Sequence, residues 1–430
     1  MKRSIEKSLI EWKNNKNRMP LILNGARQVG KTYILREFGN RNYKNVVYVN
    51  LETNSSVASY FGDDISPERV IRYLEAYANE AIVPEETLII FDEIQSCERA
   101  LTALKYFCEE TPEYHIAAAG SLLGVAINRD KFSFPVGKVD TITLYPFTFE
   151  EFLWAVGEEI LCDEIKAHFE SLEPMPEVLH NKAIDFYRCY LITGGMPAAV
   201  NEFVATKKLI GVSDIQNKIL NDYLADMAKY ASNSESVRIR ACYNSIPAQL
   251  AKENKKFQYK VVQRGGSAKL FGESIEWLNF AGVVLKCERI EQAFEPISVY
   301  VDLSAFKLYM GDTGLLVMKS GISHQTVLSG ESNTFMGAVC ENYVAQALTA
   351  SGHKLFYWTS EHTAELDFVI QKGNEIIGIE VKKAQHVKSK SLFEFNKKYT
   401  SSYSIRLSEK NFGIADNNVK IVPLYAAFCI

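Results

Sequence analysis

LILNGARQVGKTYIL, residues 21–35, is the stretch whose reading decides the fold. An apolar run enters Gly25, four residues follow, and Gly30-Lys31-Thr32 opens a segment with helical spacing. The pattern is GxxxxGK[ST], set between a strand-like run and a helix-like one, which is the context that gives it meaning. Its glycines let backbone N–H groups turn toward a phosphate, and a helix N-terminus favours the anion. On this reading Gly25, Ala26, Arg27, Gln28, Val29 and Gly30 form a cradle that runs on into Lys31, Thr32 and Tyr33. Lys31 reaches the β and γ oxygens of ATP, and Thr32 ligates Mg²⁺.

Two more strand ends belong with this loop. LIIFDEIQ (88–95) is four apolar residues followed by Asp92 and Glu93. An acidic residue at the end of a buried strand holds a Mg²⁺ shell, and the next carboxylate orients or deprotonates a water. The alternative, Asp92 as a plain helix cap, leaves the upstream loop without a partner. HIAAAGSLLG (115–124) is again an apolar run ending in a polar residue, Ser121. In a parallel sheet that end lies near the same crevice, where Ser121 senses the γ-phosphate or the water; it reads equally well as a cap for the residues after it.

The strand-like runs at 21–25, 46–52, 87–93, 114–120 and 139–147 alternate with helical patterns. Near-continuous apolar strands between helices predict an α/β core with a parallel sheet covered on both faces, over residues 1–150. Residues 151–232 read as a helical lid, interrupted by Gly-Gly-Met-Pro at 194–197. Residues 233–325 read as helices followed by a small β wing, a winged-helix-like module. Residues 326–430 open with a helix and continue as alternating strands.

Composition sets outer limits. The chain has 430 residues, 47% hydrophobic and 23% charged, with a net charge of −4. That suits a globular protein with sizeable cores and excludes a strongly basic nucleic-acid coat. The eight cysteines form no CxxC pair and the seven histidines are dispersed, so neither a zinc site nor a disulfide framework is expected. The N-terminus lacks a continuous apolar core and no stretch is long enough to span a bilayer, so a cytoplasmic protein with no membrane partner is expected.

The last hundred residues carry a second constellation: Glu341 in a helical pattern, then Asp367, then Glu380 and Lys382 two apart on a strand, facing one way. Carboxylates that place Mg²⁺ beside a lysine are what metal-dependent phosphodiester cleavage requires, with Glu341, Asp367 and Glu380 as metal ligands. The same alternation of charge also describes a solvated strand face. Upstream, Lys252, Lys255, Lys256, Lys260, Arg264 and Lys269 fall close together beside Phe257, Tyr259 and Phe271, a mixture suited to nucleic acid, DNA ahead of RNA.

Taken together, IEWKNNKNRMPLILNGARQVGKT, IIFDEIQ, AAAGSLLG, LYPFTFEEFL, LITGGMPAAV, FKLYMGDTGLL and the C-terminal half resemble a large family of bacterial and archaeal AAA+-type ATPases. The resemblance covers nearly the whole chain. It implies an ATPase core, a winged-helix region and a C-terminal domain similar to the PD-(D/E)xK nuclease fold, carried here by Asp367, Glu380 and Lys382 with Glu341. The family commonly has Gly-Arg-Val before LYPF; here Lys138 stands in that place, without the planar fork of arginine. Arg129 is the candidate substitute. The expectation is therefore an ATP-binding and ATP-hydrolysing protein coupled to a nuclease-like domain that cuts or grips nucleic acid. The alternatives are a nucleotide-dependent switch with an inert nuclease-like domain and a protein-remodelling ATPase. Homo-oligomers and protein partners fit all three.

Overall fold

The computed structural model describes residues 1–62, 64–120, 134–229, 231–331, 333–360, 364–382, 390–399 and 401–430. The chain divides into two compact units, one of residues 2–145 with 280–282, the other of residue 1 with 146–279 and 283–430.

The first unit is built on five parallel strands, β1 (Leu21–Asn24), β2 (Asn45–Asn50), β3 (Thr87–Asp92), β4 (His115–Ala119) and β5 (Asp140–Thr143). Their order across the sheet is β2-β3-β4-β1-β5. All five strands predicted from apolar runs are present. The centre is fully enclosed: Leu88, Ile89, Ile90 and Phe91 of β3 have no solvent exposure, which is why that run reads as continuous rather than alternating. β5 stops at Thr143, before Pro146, which has no N–H to give a ladder. Helices α1 (Ile5–Asn14), α2 (Lys31–Asn42), α3 (Pro67–Ala78) and α4 (Glu98–Glu110) accompany the sheet. α3 begins on Pro67 and ends at Asn79 in the left-handed region, and α4 turns Ala100, Leu101, Leu104 and Phe107 inward at helical spacing. These side chains share a core with Val47, Val49, Ile89, Phe91 and Ile116.

The second unit opens with helices only: α5 (Phe149–Val156), α6 (Glu159–Ser171), α7 (Glu177–Thr193), α8 (Pro197–Thr206) and α9 (Ile210–Lys229). α5 starts in a reciprocal Thr148–Glu151 capping box. α10 (Asn233–Leu250), α11 (Tyr259–Val262) and α12 (Ala268–Phe280) lead to β6 (Val284–Ile290) and β7 (Val301–Met310). After α13 (Thr313–Ser320), α14 (His324–Ser329) and α15 (Met336–Ala350) come β8 (Phe356–Thr359), β9 (Glu365–Lys372), β10 (Glu375–Val381), α16 (Lys390–Lys398), β11 (Ser404–Ser408), β12 (Gly413–Ala415) and β13 (Val419–Pro423). Among the described residues one mixed sheet holds every strand of this unit, in the order β12-β13-β11-β10-β9-β8-β6-β7. The antiparallel pair β6–β7, expected as a wing, is the edge of this sheet: Glu288 of β6 is in register with Phe356 of β8. The sheet therefore runs across the boundary drawn at 325/326 from sequence.

The Gly-Gly-Met-Pro break is a packing joint. Gly195 N–H donates to Asp312 Oδ2 at 2.6 Å, and a Cβ on Gly195 would meet the Phe147 carbonyl oxygen at 2.1 Å. Tyr190 Oη donates to the same Phe147 carbonyl, and Gln346 of α15 donates to Tyr190 Oη at 2.9 Å. Asp312 is fully enclosed, and burial pushes its carboxyl up to about 6 despite N–H donors from Gly195, Leu315 and Gly314. Three of the quoted family-like segments, around Phe147, Gly194 and Asp312, thus meet at one buried point.

Candidate functional site: a phosphate loop at the end of a parallel sheet

Residues 25–30 leave β1 and enter α2 with glycines where other residues would be strained. Gly25 has φ +140°, and a Cβ there would lie 2.2 Å from the Leu144 carbonyl oxygen. Gly30 caps α2 at φ 95°, and Gln28 at φ 65° completes the turn. Ala26 and Val29 are buried, Gln28 is exposed, and Tyr33 is 55% exposed just after Thr32. Arg3 fastens the loop from outside the motif: its guanidinium donates to the Val29 and Tyr145 carbonyls at 3.2 and 2.7 Å.

Lys31 is buried, and its ammonium donates to the Gly25 and Ala26 carbonyls, both at 2.8 Å. Burial pushes it down to about 8, against the opposing charges of Glu93 and Asp92. A buried cation whose hydrogen-bond partners are neutral carbonyls is costly unless an anion arrives. Thr32 Oγ1 donates to Asp92 Oδ2 at 2.8 Å, and Tyr48 Oη donates to the same oxygen at 2.8 Å. Asp92 ends β3, opposite Asn50 of β2. Hydroxyl and carboxylate are thus already together, as an Mg²⁺ shell requires. The donor set, the tight loop and the first N–H groups of α2, which have no intrahelical partner, fit a nucleoside triphosphate with Mg²⁺.

Glu93 sits in the left-handed region, φ 50° and ψ 45°, strain of a kind concentrated at working sites. Its Oε2 accepts from Gln95 Nε2 at 2.5 Å, and Gln95 is itself buried with its Oε1 unpartnered among the described residues. Ser121 and Arg129 lie outside the described residues. Lys138, in the place of the family's arginine, pairs with Glu109 at 2.9 Å.

Residues 17–153 match the family model described as an AAA domain. Two further models, each described as a domain of unknown function, match residues 184–326 and 336–427. Uncharacterized proteins of Mycobacterium bovis and Mycobacterium tuberculosis are each 35% identical over 79 residues, a match spanning 18% of this chain and 18% of theirs. Among solved structures, the Walker-type ATPase PABY2304 of Pyrococcus abyssi is similar at 15% identity and TM-score 0.45, over 74% of this chain and 95% of that one. The ORC2 protein of Aeropyrum pernix is similar at 10% identity and TM-score 0.39, over 79% and 94%.

The second constellation is differently furnished. Glu341 lies on α15, Asp367 on β9 and Glu380 on β10, in neighbouring elements, but each is engaged. Lys255 pairs with Glu341, to which Tyr309 Oη also donates at 3.3 Å. Lys382 and Arg406 lie 3.4 and 3.7 Å from Glu380, which is 2% exposed. Asp367 Oδ2 accepts from Val381 N–H at 2.8 Å. Among the described residues no group of three or more His, Cys, Asp or Glu side chains is placed to hold a metal ion. Two of the three aromatics beside the basic run do not face solvent: Phe257 and Phe271 are buried, and Phe257 stacks on Phe306 with centroids 5.4 Å apart, while Tyr259 is half-buried. Lys255 points inward, while Lys260, Arg264 and Lys269 are exposed. None of the eight cysteines is in a disulfide, and among the described residues no helix is long and apolar enough to cross a membrane.

Sequence reasoning missed Arg3, Tyr48, Gln95 and Lys307. Only Gln95 had a signal, two residues beyond Glu93 in DEIQ.

Proposed function

We propose that this chain binds ATP with Mg²⁺ at residues 25–33, hydrolyses it, and uses nucleotide occupancy to control what its second unit binds. The observation that carries the reading is the Lys31 ammonium, buried at the start of α2 on two carbonyls of its own loop. Lys31 takes the β and γ phosphate oxygens, and Thr32 and Asp92 hold the metal shell. Mg²⁺ held there would supply charge stabilisation to the transferring phosphoryl group. Glu93 accepts the proton of the attacking water, and Gln95 fixes where that carboxylate points. Nucleic acid, DNA before RNA, is the partner the exposed Lys260, Arg264 and Lys269 suit best; its affinity then falls steeply with salt. A protein partner or a second copy of the chain fits the same scheme.

A second reading, in which residues 326–430 form a PD-(D/E)xK-like domain that cuts nucleic acid, is favoured by Glu380 and Lys382 meeting at 3.4 Å beside the strand of Asp367. The ion pairing of Glu341 and Glu380 weighs against it. Nucleotide titration of the full chain and of Lys31→Ala tests the primary reading. Loss of at least about a hundredfold in ATP affinity, ~2.7 kcal/mol, is expected; unchanged affinity defeats it.

A further inference from the structure

The mixed sheet of the second unit contains a lysine that no motif announced. Lys307, on β7, has no solvent exposure, and its ammonium lies 2.5 Å from Glu365 Oε1 at the start of β9. Burial pulls its proton affinity down, but the carboxylates of Glu341, Glu365 and Asp367 more than offset this and hold it above the ordinary lysine range. Glu341 is pushed up by burial first and by Asp367 second, with Lys255 and Lys307 opposing. Four carboxylates, Glu341, Glu365, Asp367 and Glu380, therefore face four cations, Lys255, Lys307, Lys382 and Arg406. The formal charge of the cluster is zero.

A hard divalent cation needs carboxylate oxygens that are not already committed and a site with net negative charge. Here ammonium and guanidinium groups lie on oxygens of Glu341, Glu365 and Glu380, and Asp367 Oδ2 accepts from a backbone N–H; a dication added to this neutral, partly buried cluster would leave two uncompensated charges. The origin of the partners also matters. Lys255 and Lys307 come from before residue 326, and Glu341, Glu365, Asp367 and Glu380 from after it. The ion pairs fix these two stretches of chain in one register, a use of buried charge with good precedent.

We infer that the carboxylate cluster of the second unit is internally compensated, with the Lys307 ammonium holding the place of a divalent metal, and that this sheet does not cleave phosphodiesters by a metal-dependent route. The cluster acts as an electrostatic lock between the segment carrying β6–β7 and the rest of the sheet. This is independent of the ATP reading.

The test is Mn²⁺ binding to the nucleotide-free full-length chain, followed by electron paramagnetic resonance, for the wild type, Asp367→Asn and Lys307→Met. Nucleotide is absent from every arm, so failure here and failure of the ATP reading are separable. The wild type and Asp367→Asn are expected to bind Mn²⁺ indistinguishably, whereas Lys307→Met, left with surplus carboxylates, gains about tenfold or more in affinity. A wild-type site that Asp367→Asn weakens tenfold overturns the inference, as does a folded Lys307→Met with no gain. Should Lys307→Met not fold, the wild type against Asp367→Asn decides. Nicking of supercoiled DNA in Mn²⁺ that is abolished by Glu380→Ala also overturns it.

Discussion

Raising the pH from 7 to 9 should weaken ATP binding about tenfold, and the cause is a single buried amine. In the unliganded loop Lys31 is pulled down to about 8 by burial, with Glu93 and Asp92 opposing. Its partners are the Gly25 and Ala26 carbonyls, which accept from an amine as well as from an ammonium. A triphosphate is attracted to the ammonium alone. Above pH 8 the Lys31 side chain is mostly the neutral amine, so binding must first take up a proton, at about 1.4 kcal/mol per pH unit. The apparent Kd is multiplied by about 1.1 at pH 7 and about 11 at pH 9 for a pKa of 8. Calorimetric titration with MgATP in buffers of different ionisation enthalpy reads both quantities: affinity falls, and proton uptake rises toward one per ATP at pH 9. Lys31→Ala should bind weakly with no such slope. Flat affinity and buffer-independent heats from pH 7 to 9 in the wild type would refute the reasoning, because Lys31 would then already be an ammonium throughout that range.

Gly25→Ala adds a Cβ 2.2 Å from the Leu144 carbonyl oxygen at φ +140°; the loop must shift, and ATP affinity measured by fluorescence titration should fall more than about tenfold. Gln95→Leu removes the donor that holds Glu93, and steady-state kinetics should show kcat down about tenfold or more with KM within about twofold. Thr32→Ala leaves Asp92 its Tyr48 partner but should raise the Mg²⁺ concentration needed for ATP binding several-fold. His115 is pushed down to about 4 by burial and then by the charges of Arg18 and Lys13. Its folded value lies below the unfolded one, so stability is lost as pH falls from about 6.5 toward 4. Denaturant unfolding should give about 2 kcal/mol less at pH 5 than at pH 7, a loss that His115→Gln removes.

What was legible in the sequence follows physical lines. Strands buried on both faces announce themselves as apolar runs, so β1, β3 and β4 could be placed; β2 and β5 are part-buried edge strands whose runs are less continuous, and the GxxxxGKT loop fixed the order of strand, loop and helix around Lys31. Asp92 was legible because a carboxylate ending such a run has little other reason to be there. Contacts between distant segments were not legible. Arg3 reaches Val29 and Tyr145, and Tyr48 reaches Asp92, through folding alone. The second constellation shows the same limit more sharply. Spacing put Glu380 and Lys382 on one face, but nothing in the spacing placed Lys307 and Lys255 against Glu365 and Glu341. The wing was misjudged for a related reason: an antiparallel pair looks the same in sequence whether it stands alone or, like β6–β7, continues into a larger sheet. The aromatics at 257 and 271 sat beside lysines in the chain, yet both are buried, Phe257 against Phe306.

The most direct test of the central claim is a single-turnover assay with radiolabelled MgATP, comparing the wild-type chain with Glu93→Gln at matched occupancy. The wild type should release phosphate, while the variant binds ATP with near-normal affinity and retains it intact, slowed about a hundredfold or more. Phosphate release by Glu93→Gln at the wild-type rate would contradict the account.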